Sequence, residues 1–152
     1  MKKFLSSLTL LLAAISTQTQ AAPEVLPLEV LPLKTEAMKN MALESIPPFP
    51  AEEILKGTGE NWLKILHQGE VVVALYESTA AVINVKDPFP YDEFVTVLEG
   101  QVILTRTDGQ KQTYKTGDNF LVPKGWTGTW DMPERYREMI VIETKAWNET
   151  EG

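Results

Sequence analysis

The sequence predicts an all-β fold, a small antiparallel barrel or sandwich, on three observations. From about Ile54 onward the apolar residues recur with period two among β-formers. Turn signals punctuate that stretch at Glu99-Gly100, Asp108-Gly109, Gly117-Asp118, Pro123-Lys124-Gly125 and Met132-Pro133. Their spacing, roughly eight to nine residues, is the rhythm of short hairpin-connected strands. A length of 152 residues with 43% hydrophobic content suits one domain with a sizeable core.

The elements follow in chain order. Thr35 to Glu44 carries helix formers and predicts a short helix, ended by the prolines at 47, 48 and 50. Trp62 to Leu66 and Val71 to Tyr76 are strand candidates, the second apolar enough to be buried on both faces. Glu93 to Leu98, Val102 to Thr107, Gln112 to Lys115, Asn119 to Val122, Gly128 to Asp131 and Met139 to Thr144 complete the set. Asp108-Gly109 is the strongest hairpin signal, read as a type I′ turn with positive φ at both positions.

Upstream, Lys2 and Lys3 precede a short apolar run, Leu8 to Ile15, and a polar stretch ending at Ala21. With small residues Thr19 and Ala21 before the break, this reads as an export signal cleaved after Ala21. The run is too short for a membrane anchor, which needs about 20 apolar residues. Periplasmic or secreted location is expected. Removing two lysines and no acid leaves 12 basic against 21 acidic residues, so the charge moves from −7 to −9. Residues 22–50 form a proline-rich arm holding a tandem EVLPL, at Glu24–Leu28 and Glu29–Leu33. It is read as mobile or docked on a partner. The barrel domain is placed at 51–147, with a tail at 148–152.

Composition removes several chemistries. Zero cysteines exclude disulfides, thiolate metal sites and a cysteine nucleophile, and the lone His67 excludes a site of several imidazoles. The acidic balance argues against nucleic acid.

Two motifs stand out. GDNFLVPKG, Gly117 to Gly125, has the form G-x5-P-x-G, and Glu93 and Gly100 in PYDEFVTVLEG stand as E-x6-G. Glycines and Pro123 suit tight turns without any ligand, and Asp118 suits hydrogen bonds within its own turn. Together with GDNFLVPKGWTGTWDMPERYRE, these pieces resemble the cupin superfamily, and within it the ureidoglycine-aminohydrolase-type cupins. The resemblance implies a jelly-roll barrel, pairing as a homodimer, and a metal held by three histidines and a glutamate. Only the glutamate is present, as Glu93. The histidine positions hold Asp87 and Phe89 (or, with the longer spacer, Lys86 and Pro88) and Gly128. No cofactor is therefore expected. A hard-oxygen Ca or Mg site from Asp87, Asp92 and Glu93 is the alternative, against which adjacent strand residues point to opposite faces.

Glu93 is the candidate catalytic residue, an acid or base if it faces the barrel interior; the competing reading is a polar gap-filler. Arg106, Arg137 or Lys124 are cations that would hold it ionised. Trp126 and Trp130 flank Gly128 and share a face, either as core or as a stacking wall for a small planar or sugar-like ligand. Tyr76, Tyr91, Phe89 and Arg106 complete the candidate ligand-binding set. His67 and the run Glu134 to Glu138 are read as surface features, the latter making weak ion pairs. The leading function is an exported, metal-free cupin that binds a small molecule. The alternatives are an aminohydrolase- or isomerase-type enzyme using Glu93, and an interaction protein docking through its arm.

Overall fold

The structure is a computed structural model that describes residues 29–151; the stretch expected to be an export signal, the first EVLPL copy and Gly152 lie outside the described residues. Residues 29–34 have no regular secondary structure. Every helix and strand among the described residues belongs to the unit Pro32–Gly152.

The order is α1 (Thr35–Lys39), β1 (Glu44–Ile46), β2 (Ile54–Gly57), β3 (Asn61–Gln68), β4 (Val71–Ser78), β5 (Ala81–Val85), β6 (Glu93–Glu99), β7 (Gln101–Arg106), β8 (Lys111–Lys115), β9 (Asn119–Val122), β10 (Gly128–Met132), β11 (Tyr136–Glu143) and α2 (Thr144–Glu151). Two antiparallel sheets result. One has six strands in the order β1-β3-β4-β11-β6-β9, the other five in the order β2-β5-β10-β7-β8. This is the jelly-roll expected. Alternation explains the core: Val72 and Ala74 on β4, Val95 and Val97 on β6, and Ile140 and Ile142 on β11 point inward to meet Ile83, Leu104 and Trp130 of the facing sheet.

Strand β4 is buried on both faces, as its composition required. Its outer residue Leu75 meets Leu98 and Met38 of α1, with Met41, Leu43 and Met139 around them. A second, smaller core thus lies under the segment that precedes β1. The helix stops at Lys39, five residues before the expected end, and the Asn40 amide caps it by donating to the Glu36 carbonyl at 2.8 Å.

Three local expectations are corrected. The Asp108-Gly109 hairpin exists, but only Gly109 has positive φ (85°). The Gly109 amide donates to the Arg106 carbonyl at 2.9 Å, and Asp108 Oδ1 accepts from the Gln110 amide at 3.1 Å. A carboxylate so engaged holds Asp108 in ordinary backbone space, giving a three-residue loop with a bulge instead of type I′. Strand β11 begins at Tyr136, three residues before the expected start, because it pairs with β4 along its whole length, Tyr136 opposite Ser78 through Glu143 opposite Val71. Consequently Arg137 and Glu138 are not surface residues. They are 5% and 4% exposed. Strands β1, β2 and β5 and helix α2 had no counterpart in the sequence reading.

Candidate functional site

A cavity of about 550 Å³ opens between the two sheets. Strands supply its walls: Leu63 from β3, Tyr76 from β4, Ile83 from β5, Glu93 from β6, Trp130 from β10 and Glu138 from β11. The proline-rich segment 47–50, the loop holding Phe89 and Tyr91, and Trp147 of α2 complete its lining.

The loop is fixed by its backbone. Phe89 donates its amide to the Trp126 carbonyl at 2.9 Å, and Gly125 donates to the Phe89 carbonyl at 2.7 Å. Asp92 Oδ1 accepts from the Lys124 amide at 2.8 Å. The two sequence motifs are thereby stitched together. The stitching presents Phe89 nearly parallel to Trp130, with ring centroids 6.5 Å apart at 12°. Tyr91 packs edge-on against Phe89 at 5.4 Å. An aromatic wall therefore lines one side.

Of the residues expected in the site, Glu93, Tyr76, Phe89, Tyr91 and Trp130 line this one cavity. Trp126 lies outside its lining. It precedes β10 and meets Trp130 edge-on at 6.4 Å, supporting the wall from behind. Arg106 is elsewhere, on the β7–β8 hairpin, exposed and paired with Asp108 at 2.9 Å. Arg137 faces the outer side of the sheet and pairs with Glu77 at 3.1 Å. Asp92 is exposed while Glu93 is buried, so these neighbours diverge as strand alternation demands.

Glu138 is the functional candidate that the sequence reading missed. The signal was present: stepping back by two from Ile142 and Ile140 along β11 falls on Glu138 and Tyr136, continuing the inward face. Glu138 sits opposite Tyr76 on β4 and accepts a hydrogen bond from the Tyr136 hydroxyl at 2.5 Å. Burial pushes its carboxyl up to about 8, against a smaller opposing effect of the Tyr136 hydrogen bond. Burial raises Tyr76 and Tyr136 as well, so both stay neutral hydroxyls. Tyr76 in turn donates to Asn61 Oδ1 at 2.8 Å. The result is a chain of neutral hydrogen-bonding groups around an acid that carries its proton near neutrality.

The donor set does not fit the transition metal that the resemblance implies. Phe89 stacks where a ligand would be needed. Gly128 has φ of 155°, and a Cβ there would lie 2.2 Å from the Thr105 carbonyl oxygen and 3.0 Å from the Trp126 ring. A histidine cannot occupy that position without moving backbone. Among the described residues no three His, Cys, Asp or Glu side chains stand close enough to hold a metal ion.

Residues 66–139 match the family described as the EutQ-like cupin domain. A comparison with curated proteins found no match. Among solved structures, the chain is similar to a DUF861-family protein of unknown function from Pseudomonas syringae pv. tomato, at 19% identity and TM-score 0.63. The match covers 68% of this chain and 45% of that one, so this chain spans less than half of that relative's length. A cupin-like protein from Thermotoga maritima matches at 16% identity and TM-score 0.52, over 70% of this chain and 80% of its own. The EutQ protein of Clostridium difficile matches at 22% identity and TM-score 0.48, over 55% and 68%. At such identities the likeness is one of fold. Two sheets in jelly-roll order, the two stitched motifs and the match of residues 66–139 to the family agree on a cupin-type domain.

Proposed function

We propose that this cupin barrel binds a small molecule in its interior without the help of a metal. One observation carries the reading: a cavity large enough for a small ligand is walled by Phe89, Tyr91 and Trp130 and holds two buried carboxylates, Glu93 and Glu138. The misfit of Gly128 and Phe89 to a metal supports the second half of the proposal. Thermal-shift screening of a metabolite library against the purified protein tests the first half. The expected outcome is a subset of compounds that raise Tm, with the response weakened by Trp130→Ala. Elemental analysis tests the second half, and stoichiometric Mn, Fe, Ni or Zn overturns it.

A second reading is favoured by the same two carboxylates. Paired acids facing one cavity suit acid–base chemistry of the aminohydrolase or isomerase type, with Glu93 as the reacting group and Glu138 holding a proton at neutral pH. Once a turnover assay exists, unchanged kcat in Glu93→Gln removes Glu93 from that mechanism.

The leader-like residues 1–21 support export, and the fold supports pairing as a homodimer. Fractionation of cells and the solution mass, with and without residues 22–34, test these two proposals.

A further inference from the structure

We infer that the molecule taken into this barrel is a small organic cation, an amine or ammonium compound with a compact apolar or planar body. The inference rests on the proposed binding function of the cavity and names the class of its ligand.

The acids and bases around the cavity are one-sided. Among the described residues Glu53, Asp87, Glu93 and Glu138 line it, against a single basic side chain, Lys86. Lys86 is already engaged, its Nζ donating to the Glu52 carbonyl at 3.2 Å. Three arginines that would have balanced the acids point away, Arg106 to Asp108 and both Arg135 and Arg137 to Glu77. An anionic ligand would enter against this field, with no guanidinium to receive it.

Two further observations separate a ligand site from a mere collection of acids. Glu138 is 4% exposed and lines the cavity, and among the described residues no ion pair reaches it. Its hydrogen-bond partner is a neutral hydroxyl, so a cation arriving in the cavity meets a carboxyl able to answer it. The same cavity carries an aromatic surface, Phe89 and Trp130 lying nearly parallel with Tyr91 edge-on to Phe89. Ring faces attract cations, most strongly where water is excluded, and quaternary ammonium groups are held this way. A metal cation would need three or more converging ligands, which the described residues do not offer. An organic cation needs one carboxylate and a ring face, and both are here.

Protons enter the same picture. The titratable groups around Glu138 are Tyr76 on β4, Tyr136 on β11 and Glu93 on β6. Both tyrosines are held neutral by burial, so entry of a cation draws the proton from Glu138.

Tryptophan fluorescence of the full chain tests the proposal, since Trp130 and Trp147 line the cavity. The probes are benzyltrimethylammonium, its uncharged carbon isostere neopentylbenzene, and benzoate. The ammonium is expected to bind at least about tenfold more tightly than the isostere, and benzoate most weakly. Its affinity should rise between about pH 6 and about pH 9, because its own charge is permanent and Glu138 ionises. Glu138→Gln should abolish that pH dependence and the preference for charge while leaving the isostere unchanged; Glu93→Gln serves if the first variant does not fold. Equal or tighter binding of benzoate or of the isostere overturns the cation class alone. Failure of all three probes to change fluorescence or Tm overturns the binding function as well.

Discussion

Strands β4 and β11 carry two buried carboxylates on opposite faces of the same ladder, and the protein treats them differently. Glu77 points outward, beneath the segment around α1. Arg135 and Arg137 answer it, and Arg137 also donates to the backbone carbonyls of Lys39 and Met41. The Arg137 Nε contact with Glu77, at 3.1 Å, is an ion pair without hydrogen-bond alignment. Glu138 points inward to the cavity and is given a tyrosine hydroxyl. A carboxylate bracketed by arginines is closed to further partners and fastens the chain to the sheet. One met by a single hydroxyl remains open to a visitor. Burial alone does not tell structure from function; the partner does.

The largest effect should come from breaking the closed arrangement. Arg137→Ala leaves Glu77 buried with less countercharge and releases the carbonyls of Lys39 and Met41. Removing one partner of a buried pair costs about 3–5 kcal/mol, readable by urea unfolding. Loss of less than about 1 kcal/mol would mean that Arg135 suffices.

Glu138→Gln probes the open arrangement through pH. The folded state keeps the Glu138 proton up to about 8, whereas the unfolded chain releases it near 4.5. Its contribution to stability is therefore complete below about 4.5 and drains away as pH rises through about 8. The glutamine variant should flatten that decline and be the more stable protein at high pH. The gain is on the order of a few kcal/mol, at about 1.4 kcal/mol per unit of displacement. Parallel Tm curves for the two proteins from acid to alkaline pH would contradict the assignment.

A smaller effect is expected from Tyr136→Phe, which deletes the hydroxyl that Glu138 accepts from. Stability should fall by about 1–2 kcal/mol, and the Glu138 titration should move further upward, followed by carboxyl NMR. The smallest belongs to Arg106→Ala on the exposed hairpin, where loss of the Asp108 pair should cost less than about 0.5 kcal/mol in the same unfolding assay.

How far the sequence discloses this arrangement follows from the range of the forces involved. Strand alternation and turn chemistry are local, so β3, β4, β6 to β10 and their hairpins are legible in it, as are Glu93 and four of the six aromatic and basic partners that share the site's naming. Glu138 was misread because charge was weighed before alternation: P-E-R-Y-R-E looks like solvent-facing polarity until β4 is laid beside it. Which arginine meets Glu77 depends on cross-strand register, Arg137 opposite Glu77, and no short window of sequence contains that pairing. Strand β5 is five residues long, apolar but for Asn84, and its role is set by β2 and β10 on either side. The type I′ turn was lost to a side chain, Asp108 finding the Gln110 amide.

The lining of the cavity has two provenances. Pro47, Phe49 and Pro50, before β2, and Trp147 and Thr150 on α2 all lie outside residues 66–139, the stretch that matches the cupin family. The matched stretch supplies the two buried carboxylates and the aromatic wall, and the flanking segments complete the lining. Exchanging those segments would re-cut selectivity at a cost in packing, since Phe49 and Trp147 also rest against the barrel core. A tag fused hard against Thr150 would crowd the ligand chamber, so binding assays are best made with that helix left clear.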